Sequence, residues 1–219
     1  MLNYSYEDTK LILKGKKKLN IVLSELAEWI TFKYNVKVLN IYYDFSTIPI
    51  LYIILEKRTE IHTFTNNNFI YDSIKKQLII NELSEIMKKQ KFTFFRKRIN
   101  YNINNMSLNF SAFLPIAISE ANHKISNEEI KKIKNSFEND YIWEISRCFD
   151  SATIFFYTNK QSLDNQNSLL KEKIETMYFN LIKKYDEFDY CKRETFKMNV
   201  DSKENFDTNY ASNWYYYYK

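Results

Sequence analysis

The chain has 219 residues, a formal net charge of +5 and an aromatic content of 17%. It holds one glycine, Gly15, and two prolines, Pro49 and Pro115. Phosphate-cradling loops, dinucleotide fingerprints and nucleophile elbows need two or more glycines at fixed spacing, so those enzyme classes are excluded.

Hydrophobic residues make up 45% of the chain, enough for a large core rich in Phe and Tyr. Positive charge concentrates in the first hundred residues, and the remainder is slightly acidic. That imbalance is milder than a dedicated nucleic-acid protein shows. With glycine nearly absent, tight turns fall to Asn, Asp and Ser. The opening MLNYSYEDTK has no apolar run behind a basic start, so no signal peptide is expected. The longest apolar stretch, Ile48 to Leu55, is too short to cross a bilayer. Cys148 and Cys191 are two cysteines in a chain too large to need a disulfide scaffold. A cytoplasmic protein without a membrane partner is expected.

In chain order, Leu19, Val22, Leu23, Leu26 and Ile30 recur at helical spacing and predict a helix over 16–34. VKVLNIYYDF (36–45) and IPILYIILE (48–56) are β-branched and aromatic, and read as a hairpin. Residues 59–65 suggest a further strand. Asp72 is placed to cap a helix running to residue 90, with Ile79, Leu83, Ile86 and Met87 inward. Residues 92–98 and 108–113 read as strands. Ser126 and Glu129 form a capping box that opens a helix carrying Ile130, Ile133, Phe137, Tyr141 and Ile145. That pattern puts Cys148 at a helix end. SATIFFYT (151–158) is a strand, 159–168 a loop, and Leu170, Ile174, Met177, Leu181 and Tyr185 mark another helix. TFKMNV (195–200) and NWYYYYK (213–219) read as closing strands.

The expected fold class is α+β, with helices packed on a mainly antiparallel sheet. One domain over 1–219 is the first choice. The order helix, strand region, helix, strand region occurs twice, so two related halves, 1–115 and 116–219, are the alternative.

The most distinctive motif is the C-terminal run Trp214, Tyr215, Tyr216, Tyr217 and Tyr218. As a strand it would carry aromatic rings on both faces, which suits a protein interface. The acidic residues Asp186, Glu187, Asp189, Glu194, Asp201, Glu204 and Asp207 could rim such an interface. A second candidate follows Lys88 and Lys89. There Lys91, Phe94, Arg96, Lys97 and Arg98 interleave cations with rings, the pattern used on single-stranded nucleic acid. A third is a set of carboxylates, with Asp201 and its neighbours near one strand end and Asp44 and Glu56 near others. If they converged they could hold a divalent metal for phosphodiester cleavage. His62 and His123 lack partners at metal-ligand spacing, and no cofactor is expected. The reading is a non-catalytic protein-binding protein, with an immunity- or antitoxin-like neutraliser as a concrete form. A nucleic-acid-associated protein and a metal phosphodiesterase are the alternatives.

Overall fold

The computed structural model describes residues 2–44, 49–66, 70–89, 106–137 and 142–219. They form an α+β fold in two compact units, Met1–Leu114 and Pro115–Lys219.

The first unit opens with α1 (Leu2–Leu13) and α2 (Ile21–Tyr34). Gly15 separates them at φ 69°, and Lys16 N–H bonds back to the Leu11 carbonyl. This left-handed exit is natural for glycine and ends α1. Asn20 then starts α2, its side chain accepting from Leu23 N–H, so the predicted helix begins at Ile21 and not Lys16. The hairpin β1 (Val38–Asp44) and β2 (Ile50–Leu55) forms as expected. It leads to α3 (Arg58–Ile61) and a 3-10 turn over His62–Phe64. The strand expected at 59–65 is therefore helical. Glu60 bends the chain there by accepting from the N–H groups of Lys57 and Lys37 at 2.7 and 2.8 Å. Asp72 starts α4 (Ser73–Lys89), accepting from Ile74 and Lys75 N–H. β3 (Ser107–Ala112) then pairs parallel with β2. The strand expected at 92–98 lies outside the described residues.

A helix α5 (Phe113–Lys124) begins at the end of this unit and continues into the second. There follow α6 (Asn127–Asn135), β4 (Ile142–Cys148), β5 (Ser151–Phe156), α7 (Asn159–Asp164) and α8 (Leu169–Lys183). β6 (Asn199–Ser202), α9 (Lys203–Tyr210) and α10 (Trp214–Tyr217) close the chain. The Ser126–Glu129 capping box is present. The helix it opens ends at Asn135, and Ile145 and Cys148 lie on β4. A β-bulge explains the misreading. Ile142 pairs with Phe156 and Glu144 with Phe155, so Trp143 is the extra residue. It sets the inward residues Ile142 and Ile145 three apart, a spacing that imitates a helix. Thr158 caps α7 inside the expected loop, and the strand expected at 195–200 is shifted to Asn199–Ser202.

Each sheet is a three-stranded layer, β1–β2–β3 and β4–β5–β6, built around an antiparallel hairpin whose second strand pairs parallel with the third. The units share further details. The bulge falls at the same place in each hairpin, between Val38 and Asn40 and between Ile142 and Glu144. After the third strand, Leu114 N–H donates to the Glu56 carbonyl, and Glu204 N–H to that of Tyr157. In unit 1 the core gathers Leu26, Ile30, Ile53, Phe64, Ile79 and Ile86. In unit 2 it gathers Ile133, Ile154, Phe156, Ile174, Tyr178 and Ile182. The buried Tyr178 hydroxyl donates to Asn122 Oδ1 at 3.0 Å, and Asn122 Nδ2 donates to the Phe149 carbonyl.

Among the described residues, five other than glycine take positive φ: Asn35, Phe149, Asp189, Ala211 and Ser212. Asn, Asp and Ser fill turns as expected, but Phe149 and Ala211 gain nothing from their side chains that lowers the cost. Ala211→Gly at φ 51° should raise unfolding free energy by about 0.5–1 kcal/mol, read from urea melts. Tyr178→Phe strands the buried Asn122 oxygen and should cost about 1–2 kcal/mol in the same assay.

Candidate functional site

β5 is buried on both faces from Ala152 to Phe156. Ile154 and Phe156 turn to the helices of the unit 2 core, and Phe155 turns the other way. Phe155 is nonetheless 0% exposed, because the C-terminal residues cover it. Trp143 meets Phe155 edge-on at 5.7 Å. Phe206 from α9 joins Trp143 at 5.6 Å, and Trp214 packs on Phe206 at 4.2 Å. Trp214 also stacks parallel to Trp143 at 5.9 Å, and Tyr217 reaches Phe155 at 5.1 Å. Such ring pairs contribute beyond the area they bury.

Three polar contacts pin this layer. Asn213 accepts from Tyr215 N–H and starts α10. The Tyr217 hydroxyl donates to Asp201 Oδ2 at 2.6 Å, while Asn205 Nδ2 donates to both Asp201 oxygens. The Tyr218 hydroxyl donates to Ser146 Oγ at 2.7 Å. Burial, and then the Asp201 carboxylate, push the Tyr217 hydroxyl well above its ordinary pKa. Burial raises that of Tyr218 as well.

The expected C-terminal strand is thus a helix. Its rings divide by helical position and not by alternation. Tyr217 and Tyr218 hold the sheet, and Trp214 packs among the rings with one face still exposed. Tyr215 and Tyr216 point outward, 67% and 56% exposed, with ring centres 5.8 Å apart. Lys219 Nζ lies 5.8 Å from the Tyr215 ring. Sequence reasoning missed Trp143, Phe155 and Phe206 as the bed for this helix. The signal was the adjacent Phe155 and Phe156, which demand cover on both faces of one strand.

The acidic residues are largely occupied by their own neighbours. Asp207 pairs with Lys203 and accepts from Ser212. Glu204 accepts from Asn159 N–H at 2.9 Å, and Glu56 pairs with Lys37. Asp186 accepts from the N–H groups of Tyr190 and Cys191. Lys183 and Lys192 both bond Asp189, which holds its carboxyl down to about 2. Among the described residues no three His, Cys, Asp or Glu side chains gather where they could share a metal ion. Burial and Asp150 push the Cys148 thiol up, and burial with Asp186 lifts Cys191 to about 11, so both remain thiols at neutral pH. Lys91, Phe94, Arg96, Lys97 and Arg98 lie outside the described residues. No helix among the described residues is long and apolar enough to cross a membrane.

No protein-family model, no curated protein and no solved structure matches the chain.

The raised Tyr217 pKa predicts a pH dependence with a definite sign. The folded state holds this proton more tightly than the unfolded chain, whose value is near the ordinary 10.0. The resulting stabilisation is complete below pH 10 and is lost progressively above it, as pH rises towards the higher folded-state value. Tyr217→Phe should cost about 1 kcal/mol at pH 7 in urea melts and flatten the fall in stability above pH 10.

Proposed function

We propose that this chain is a non-catalytic protein-binding protein, and that Tyr215 and Tyr216 anchor its partner. A neutraliser of the immunity or antitoxin kind is the concrete form this reading takes. The observation that carries it is an exposed tyrosine pair on a helix already clamped by Trp214, Tyr217 and Tyr218.

Tyrosine offers a large amphipathic contact with only two side-chain torsions to order, which suits it to the centre of an interface. The clamp supplies preorganisation, so little further ordering of the helix opposes binding. Chemistry inside the site supports the same reading. Asp201 is engaged by Tyr217 and Asn205, and the hydroxyls of Tyr217 and Tyr218 are held neutral by burial. These groups are arranged to hold the helix, and neither tyrosine hydroxyl is poised for proton transfer near neutral pH.

The test begins with capture from the native organism and identification of the bound protein. Calorimetric titration of the purified pair then compares the wild-type chain with the Tyr215→Ser, Tyr216→Ser double variant. Two lost anchors should weaken binding about 100-fold or more. The variant's unfolding midpoint should barely move, since both rings are exposed. Unchanged affinity for the identified partner would refute the assignment, as would steady-state turnover traced to the chain's own side chains.

A further inference from the structure

β4 is an edge strand. It pairs with β5 on one side, and among the described residues no strand pairs with the other. Two backbone groups on the open side are held by the chain's own side chains. Ile145 N–H donates to Glu144 Oε1 at 2.9 Å, and the Trp143 carbonyl accepts from Lys134 Nζ at 2.5 Å. Glu144, between them, is the residue paired with Phe155 of β5. A carboxylate thus stands where a neighbouring strand would bring a carbonyl, and an ammonium where it would bring an amide.

Beside this edge lies a groove of about 440 Å³, lined by Asn127, Lys131, Lys134, Glu144, Arg147 and Trp214 among others. Three of these are cations and one is a carboxylate. Arg147 is already committed, donating to the carbonyls of Asn122 and Ile125 and to Asn127 Oδ1. Lys131 is exposed and has no ion-pair partner among the described residues. Among the described residues, Lys134 is held only by the edge carbonyl it occupies. Side-chain capping of this kind also protects strand edges from unwanted pairing, but protection alone calls for no cationic groove with an indole wall.

We propose that this groove receives an acidic, extended peptide segment of a partner protein, added as a strand to the β4 edge. One residue of a parallel strand would offer its N–H to the Trp143 carbonyl and its C=O to Ile145 N–H. In an antiparallel strand two flanking residues would do so. Lys134, displaced from the edge, joins Lys131 in meeting the segment's carboxylates. Glu144 is displaced too, and its charge opposes the ligand until it moves. The groove is independent of Tyr215 and Tyr216, neither of which lines it.

The probe is a fluorescent peptide of about eight residues alternating valine and glutamate, followed by anisotropy on the full chain at low salt. Binding is expected, and Lys131→Glu with Lys134→Glu should weaken it about tenfold or more. Lys131→Glu alone changes one exposed side chain and should still give a clear loss, which guards against misfolding of the double variant. Glu144→Ala should tighten binding about threefold, by freeing Ile145 N–H and removing the opposing charge. A peptide of the same charge with prolines replacing the valines should bind weakly, lacking the amides that pair with an edge. The Tyr215→Ser, Tyr216→Ser variant should bind like wild type, which separates this site from the tyrosine anchor. The proposal fails if no peptide binds, since the side chains then only protect the edge. It fails equally if the proline peptide or an oligothymidylate of equal charge binds as well, or if the tyrosine variant loses binding.

Discussion

A central strand that is buried on both faces needs a layer on each side, and that constraint organises the second unit. Ile154 and Phe156 of β5 are covered by the helices of the core, while Phe155 needs a second cover. The residues after β6 supply it. Phe206, Trp214 and Tyr217 close over Phe155 and Trp143. The hydroxyls of Tyr217 and Tyr218 reach Asp201 and Ser146, so the added layer buries its polar ends on partners. Deprived of that layer, β5 would expose a phenylalanine between two edge strands.

The same demand leaves other aromatic residues outward. A short helix cannot direct five consecutive rings at one surface, because successive side chains turn by about 100°. With Trp214, Tyr217 and Tyr218 committed to the sheet, Tyr215 and Tyr216 face solvent. Fold stabilisation and an interaction surface therefore arise from one segment. On the other side of Trp214 lies the β4 edge, where Lys134 and Glu144 occupy the backbone groups of the open side.

Each unit reaches its mixed sheet with few flexible pivots. Gly15 marks the one exit where glycine is used, and Asn35, Asp189 and Ser212 serve other left-handed turns. The hairpins carry a bulge at matching positions, and a matching backbone bond ties the second residue after the third strand to the first residue after the second. Residue types at these positions differ between the units. Glu56 corresponds to Tyr157 and Leu114 to Glu204, which suits contacts made through backbone groups available in any residue.

Where local pattern and local chemistry coincide, residues announced their roles without tertiary context. Asp72 and Ser126 cap the helices they precede, the β-branched and aromatic runs at 36–45 and 48–56 pair as a hairpin, and the α+β class follows. Failures came where a distant partner decided the outcome. The bulge at Trp143 spaced Ile142 and Ile145 like helix residues, although only pairing with β5 shows that one residue is extra. Four tyrosines after a tryptophan suit a strand by propensity, yet Asn213 caps them into a helix that lies on rings from β4, β5 and α9. The sequence alone determined which residues need burial and which can end or begin a helix, because those are properties of side chains and nearest neighbours. Only the tertiary structure decided which rings lie inside and which edge stays open, because that depends on what surface folding brings opposite each of them.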